Sequence, residues 1–195
     1  MDGPRVHSGP MSNRGTTARA WAPLAWFGLT ALVGGGVDLA SKAWAEQTLG
    51  GLPGRAMMVQ EPWLEFALAY NRGTAFSLMP DLGAARWIFG LAALATAVVL
   101  LVIVVRSRAG RYAAIALGTI AAGAIGNGID RVFHLAPGGG TGVVDFIKIN
   151  YPWGGSWPTF NIADVLVAIG AGMLILRIVR ARGKLVLSDD ADRAA

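Results

Sequence analysis

The chain has 195 residues, 54% of them hydrophobic and only 15% charged, with a mean hydropathy of +0.49. Soluble domains carry about 25% charged residues, so the composition points to a membrane protein. The absence of cysteine excludes disulfides, thiolate metal sites and cysteine nucleophiles, and the widely separated His7 and His134 give a zinc site or a histidine triad little to build on.

In chain order, a polar N-terminal tail over 1–20 reads as disordered and cytoplasmic. A spanning helix needs about 20 mostly apolar residues, and the first candidate covers about 21–44. Arg14 and Arg19, an apolar run and Ala43-Trp44-Ala45 imitate a cleavable signal peptide. Asp38 and Lys42 interrupt the run just before that site, so an uncleaved span is expected. The stretch at about 52–79 is too polar to span. Its Met57-Met58-Val59 and Trp63-Leu64-Glu65-Phe66 portions read as short strands, broken by Pro62 and by an Asn71-Arg72-Gly73 turn. They predict a small β element lying on the outer membrane surface.

Further spans are expected over about 84–105, 113–133 and 160–176, the last extended by Arg177 snorkelling toward the headgroups. The fold expected is an all-α membrane protein, a four-transmembrane-helix bundle with the small outer β element. Residues 21–178 form a single domain and 179–195 a cytoplasmic tail.

The net charge of +5 would suit nucleic acid, but the position of the cations argues otherwise. Arg5, Arg14 and Arg19 precede the first span. Arg106, Arg108 and Arg111 fill the turn between the second and third. Arg177, Arg180, Arg182, Lys184 and Arg193 follow the fourth. An even number of spans puts all three segments on one side, which the positive-inside rule makes cytoplasmic. The basic balance is therefore orientation, and no nucleic-acid partner is expected. Trp44, Trp63, Trp87, Trp153 and Trp157 fall near the opposite interface, as an aromatic belt would.

Ionisable groups in spans are costly and are functional candidates by default. Here they gather at one depth, on the outer side. Asp38 is near the end of the first span. Asn127, Asp130 and Arg131 are near the end of the third, Asp145 lies between the third and fourth, and Asn161 and Asp164 open the fourth. With a rise of about 1.5 Å per residue, Asp164 lies roughly 6 Å below Phe160, shallow enough to meet water. Two stripes of small residues at four-residue spacing predict close helix contact: Ala114, Gly118, Ala122, Gly126 and Asp130 in the third span, and Asp164, Ala168 and Gly172 in the fourth. One such acid would read as a helix cap or as interhelical glue. Four converging aspartates read as a site.

Arg131 is expected to be structural, paired with Asp130, Asp38 or Asp145, which leaves at least one aspartate without a cation. Two carboxylates close together in low dielectric share a proton, one serving as acid and one as base. Such a pair can activate water for peptide hydrolysis without metal, thiol or serine. A proton-coupled transporter would spread its acids through the membrane depth, whereas the inner halves of these spans are nearly acid-free. A purely structural bundle would use the acids only as glue.

The blocks "VDLASK" (37–42), "NRGTAF" (71–76), "GAIGNGIDR" (123–131), "GVVDF" (142–146) and "FNIAD" (160–164) resemble, in order, spacing and span context, those of lipoprotein signal peptidase, also called signal peptidase II. The resemblance implies an aspartic peptidase of the bacterial inner membrane. It would remove the signal peptide of diacylglyceryl-modified prolipoproteins just before the lipidated cysteine, with its active site near the outer leaflet. It implies Asp145 and Asp164 as the catalytic pair. It also implies supporting roles for Asp38, Lys42, Asn71, Gly73, Asn127, Asp130, Arg131, Asn161 and Ala163, an extracytoplasmic β-cradle around 52–79, and inhibition by globomycin-type peptides. No cofactor or metal is expected, the partners are membrane lipid and substrate, and the working unit is read as a monomer. The chain departs from the family pattern at Leu39, Thr74 and Gly128, and in a longer glycine-rich stretch, "HLAPGGGTG", whose His134 reads as an interfacial loop residue.

Overall fold

The computed structural model of the protein describes residues 14–72, 85–181, 185, 187 and 188. Helix α1 spans Arg14–Leu49, followed by strands β1 (Ala56–Gln60) and β2 (Leu64–Asn71), helices α2 (Ala85–Arg106) and α3 (Arg111–Phe133), strand β3 (Val143–Ile149) and helix α4 (Ile162–Arg180). All four helices are long and apolar enough to cross a membrane. Helix α1 exceeds its expected bounds at both ends. Residues 14–20, read from sequence as part of a disordered tail, are helical, while 1–13 lie outside the described residues.

Helix α3 is the axis of the bundle and packs against α1, α2 and α4. In its most apolar window 56% of residues are buried, against 6% in α2. The reason is local sequence. Ala114, Gly118, Ala122, Gly126 and Asp130 are all buried, so the small-residue stripe forms as expected and lets neighbouring backbones approach. A Cβ on Gly118 would run into Thr30 Oγ1 and stand 2.6 Å from the Phe27 carbonyl oxygen on α1, and one on Gly123 would strike the Ala163 carbonyl on α4. Helix α2 instead presents Ile88, Leu91, Leu94, Val98 and Val99 outward, as a lipid-solvated helix can.

The expected stripe on α4 does not pack. Asp164, Ala168 and Gly172 are exposed, and the buried positions are Ala163, Gly170 and Arg177. Gly170 takes the close contact with α3, where an added Cβ would stand 2.7 Å from the Ala116 carbonyl oxygen. The seven-residue spacing of this buried row leaves Asp164 at its open edge. Arg177 does not snorkel outward either. It is buried, lies over the Tyr112 ring and donates to the Ser188 carbonyl at 2.8 Å.

The strands form one antiparallel sheet in the order β1-β2-β3. Its first two strands were legible in sequence. The third, which carries Asp145, was not, because Val143, Val144, Asp145 and Phe146 are all buried and show no alternation. Phe66 pairs with Ile147 and Ala69 with Asp145, so β2 carries one extra residue between them, a bulge of the kind that re-aims nearby side chains. The sheet docks on α1 through three edge-to-face rings, Trp44, Phe66 and Phe146, with centroids 5.4 to 6.1 Å apart, over buried Ala45 and Leu49.

Two glycine substitutions separate packing from propensity. Gly118→Ala should lower the thermal unfolding temperature in detergent, by an overpacking cost of about 1–3 kcal/mol. Gly172→Ala, with nothing within 4 Å of the new methyl, should leave it unchanged or raise it slightly, as helix propensity favours alanine.

Candidate active site

The site forms where the start of α4 runs beside β3. Phe160, two residues before the helix, pairs with Ile147: its carbonyl accepts from Ile147 N–H at 2.8 Å and its N–H donates back at 3.0 Å. This places the first turn of α4 against the strand bearing Asp145. Asn161 caps that turn, its Oδ1 accepting from Asp164 N–H at 3.2 Å, while Asp164 Oδ2 accepts from Asn161 N–H at 3.1 Å. The reciprocal pair is a capping box. Asp164 is thus a helix cap as well as a site carboxylate. Ala163 N–H is satisfied from another helix, by Asp38 Oδ1 at 2.7 Å.

Asp38 and Asp130 are both buried, and one cation stands between them. Lys42 Nζ lies 2.8 Å from an oxygen of each and donates to Asn127 Oδ1 at 3.0 Å. The ammonium thereby faces three partners on α1 and α3. The contact with Asp38 Oδ2 is close but off hydrogen-bond alignment, so that oxygen is held by charge alone. Asp130 Oδ2 also accepts from Val144 N–H at 3.3 Å, fixing the strand one residue before Asp145. Asp130 therefore pairs with Lys42. The sequence reading had considered its neighbour Arg131 as the partner. Arg131 lies over the Phe89 ring at 4.6 Å, within electrostatic reach of Asp145, Asp130 and Asp164.

Two amides link these charges to the pair. Asn127 Oδ1 faces the Lys42 ammonium, so its Nδ2 points away, donating to Asp164 Oδ1 at 2.9 Å. Asn161 Nδ2 donates to Asp145 Oδ1 at 2.7 Å, with Asn127 Oδ1 and Val144 O at 3.1 and 3.2 Å. Asn71, at the end of β2, also hydrogen-bonds the Asp145 carboxylate. Burial, reinforced by the charge of Asp164, pushes the Asp145 carboxyl up to about 6, against the opposing pull of Asn71, Asn161 and Lys42. Asp145 is 3% exposed, whereas Asp164 is open to the surroundings. The result is a buried carboxyl that holds a proton readily, beside an accessible carboxylate fixed by two donors. That arrangement can hold and polarise a water.

Of the site residues expected from sequence, Asp38, Lys42, Asn71, Asn127, Asp130, Arg131, Asp145, Asn161, Ala163 and Asp164 are brought together. Gly73 lies outside the described residues. Among the described residues no three His, Cys, Asp or Glu side chains are disposed to share a metal ion. Glu46, Tyr70 and His134 were passed over, although Asp38, Lys42 and Glu46 recur every four residues on one face of α1.

Residues 30–180 match the family described as Signal peptidase (SPase) II. The chain belongs to the signal peptidase II family. It is 37% identical over 148 residues to the lipoprotein signal peptidase of Syntrophomonas wolfei, covering 76% of this chain and 88% of that one. It is 37% identical over 165 residues to that of Pseudomonas syringae pv. tomato, covering 82% and 88%. Against the lipoprotein signal peptidase of Polynucleobacter necessarius it is 38% identical and spans 66% of that protein's length. A solved structure described as a bacterial membrane enzyme superposes with a TM-score of 0.64 at 26% identity, covering 77% of this chain and 90% of the other. The protein is accordingly a multi-pass membrane protein of a peptidase family, with the four-helix bundle and small sheet expected from its sequence.

Lys42→Met would leave Asp38 and Asp130 buried without a cation. Breaking a buried pair from one side costs about 3–5 kcal/mol. The variant should unfold at a much lower temperature than the wild type or fail to accumulate in membranes, as read by thermal unfolding and quantitative immunoblotting.

Proposed function

We propose that the protein is an intramembrane aspartic endopeptidase that removes the signal peptide from diacylglyceryl-modified prolipoproteins, cleaving just before the lipidated cysteine. The observation that carries this reading is the bridging of Asp145 and Asp164 by Asn161, whose side chain donates to one carboxylate and whose backbone N–H donates to the other. The family match supplies the substrate class.

In this reading Asp145 holds the shared proton and Asp164 is the ionised partner. A water between them attacks the scissile carbonyl, and Asp164 takes the water's proton. The Asp145 proton stabilises the tetrahedral oxygen, and the leaving amine is protonated from the pair. The accessible position of Asp164 lets an extended peptide reach the pair, while the burial of Asp145 keeps its proton in place at mildly acidic pH. The substrate's acyl chains remain in the outer leaflet of the bacterial inner membrane. Both termini are cytoplasmic, the site faces the outer leaflet, and the enzyme works as a monomer. A globomycin-type cyclic peptide would block it by occupying the pair.

Asp145→Asn and Asp164→Asn each keep the side-chain volume and an oxygen for the local hydrogen bonds, so both variants should remain folded. Each should lose cleavage of a purified lipidated prolipoprotein by about 10²–10⁴-fold or more, the usual scale of acid–base catalysis, measured as a gel shift. Full cleavage by either variant would sink the paired-carboxylate mechanism.

The pH dependence follows from the raised Asp145 carboxyl. The shared proton is present below about 6 and is lost above it, so kcat/KM, which reports the free enzyme, should fall as pH rises through that value. Stability has the same sign. The native state binds this proton more tightly than the unfolded chain, so it stabilises the fold at low pH and that contribution disappears as pH rises to about 6. The wild type should therefore lose stability relative to Asp145→Asn over the same interval in chemical denaturation.

A further inference from the structure

Behind the site, between α1, the end of α3 and β3, lies an open cavity of about 280 Å³ lined in part by Lys42, Glu46, Asp130, His134 and Val144. Glu46 and His134 have no part in the proposed chemistry, yet they sit at a junction. His134 ends α3, with its N–H on the Asp130 carbonyl. Its Nε2 lies 3.0 Å from both Glu46 oxygens and its Nδ1 lies 3.2 Å from the Gly142 carbonyl. Tyr70 on β2 donates to Glu46 Oε1 at 2.9 Å and stacks on the His134 ring, 5.9 Å between centroids at 10°. His134 is a loop residue, as expected, and one fixed in place as the C-cap of α3.

The partners decide the protonation. Both ring nitrogens face oxygens that only accept, apart from a protonated Glu46. A neutral imidazole has one N–H, so with an ionised Glu46 it must put a lone pair against either Gly142 O or the carboxylate. Both contacts hold only when the Glu46–His134 pair carries one extra proton. That proton has a mechanical consequence. Gly142 leads directly into β3, Gly142 N–H returns to the His134 carbonyl at 3.2 Å, and Tyr70 pairs with Val144, the residue before Asp145. Glu46 thus grips β2 directly and, through His134, the entry to β3.

We propose that Glu46, His134 and Tyr70 form a proton-dependent clasp that sets the position of strand β3 and hence of Asp145. The three are positioning residues, and the proposal rests on the peptidase reading for its effect on turnover. The charged and titratable groups facing the clasp are Lys42 and Asp130 across the cavity and Arg55, which acts on the Tyr70 hydroxyl. The loop it closes is otherwise tied by Arg72 Nη2 to the Pro137 carbonyl at 2.6 Å and by Thr141 Oγ1 to the Arg131 carbonyl at 2.7 Å.

Glu46→Gln makes the clasp testable. The amide it introduces can donate to a neutral His134 at Nε2 and accept from Tyr70, while Nδ1–H serves Gly142, so each of the three partners keeps one hydrogen bond without the extra proton. In the full-length protein in lipid nanodiscs, His134→Ala should lower kcat about tenfold, the scale of a sub-ångström misplacement, with KM within about twofold. Glu46→Gln should match the wild type at pH 6 and show a shallower fall on the alkaline side. Hydrogen exchange gives a readout independent of cleavage: at one pH, the peptide covering 142–147 should exchange faster in His134→Ala and at the wild-type rate in Glu46→Gln. Unchanged exchange in His134→Ala, or a Glu46→Gln pH profile superimposable on the wild type, would overturn the clasp. A wild-type protein that cleaves no lipidated prolipoprotein would instead overturn the peptidase reading, with the exchange data still deciding the clasp.

Discussion

The ammonium of Lys42, buried between helices, binds Asp38 and Asp130 at 2.8 Å each, and each carboxylate holds a backbone N–H of an element bearing half of the pair. Asp38 takes Ala163 at the start of α4, and Asp130 takes Val144 on β3. A single charge on α1 therefore sets the relative placement of Asp145 and Asp164, which have no covalent reason to meet. The same charge orients Asn127, whose amide then has only one way to face Asp164.

Two cations, Lys42 and Arg131, stand among four carboxylates, Asp38, Asp130, Asp145 and Asp164, so acids outnumber bases at the site. Removing charges from water is expensive, and an uncompensated one shifts toward its neutral form. Asp145, buried and near Asp164, is the group whose carboxyl is held up toward about 6. The arrangement that fixes the strand and the helix works against that proton: burial and the charge of Asp164 raise the Asp145 carboxyl, while Asn161 and Lys42 pull it down. Positioning thus comes from the Lys42 network, and acid–base readiness from the burial of Asp145 beside Asp164. Asp164 combines the roles within a single residue, since its side chain closes the capping box and remains accessible.

The parts legible in sequence were those governed by length, composition and local period. Four apolar runs gave the helices, and a four-residue stripe of Ala and Gly identified the buried face of α3, because close packing in lipid rewards small residues wherever they align. The same reasoning failed on α4. Asp164, Ala168 and Gly172 align equally well but face outward, and the contact with α3 goes through Ala163 and Gly170. A stripe shows that a face can pack, and only the neighbour decides whether it does. Strand β3 escaped because a strand buried on both faces lacks alternation. His134 escaped because its partners, Glu46 and Tyr70, are 88 and 64 positions away.

By itself the sequence determined that the chain enters a membrane four times, that its ionisable residues gather at one depth, and that five ordered blocks carry the signal peptidase II pattern. These follow from local chemistry, since hydrocarbon excludes charge and each block is contiguous. The tertiary structure alone decided which acid pairs with which base, that Asp145 lies on a strand, and that α4 starts beside it. Those outcomes depend on a bulge in β2, on the Phe160–Ile147 pairing and on a lysine shared between helices. Each is a contact between distant segments whose energy exists only once the bundle has closed.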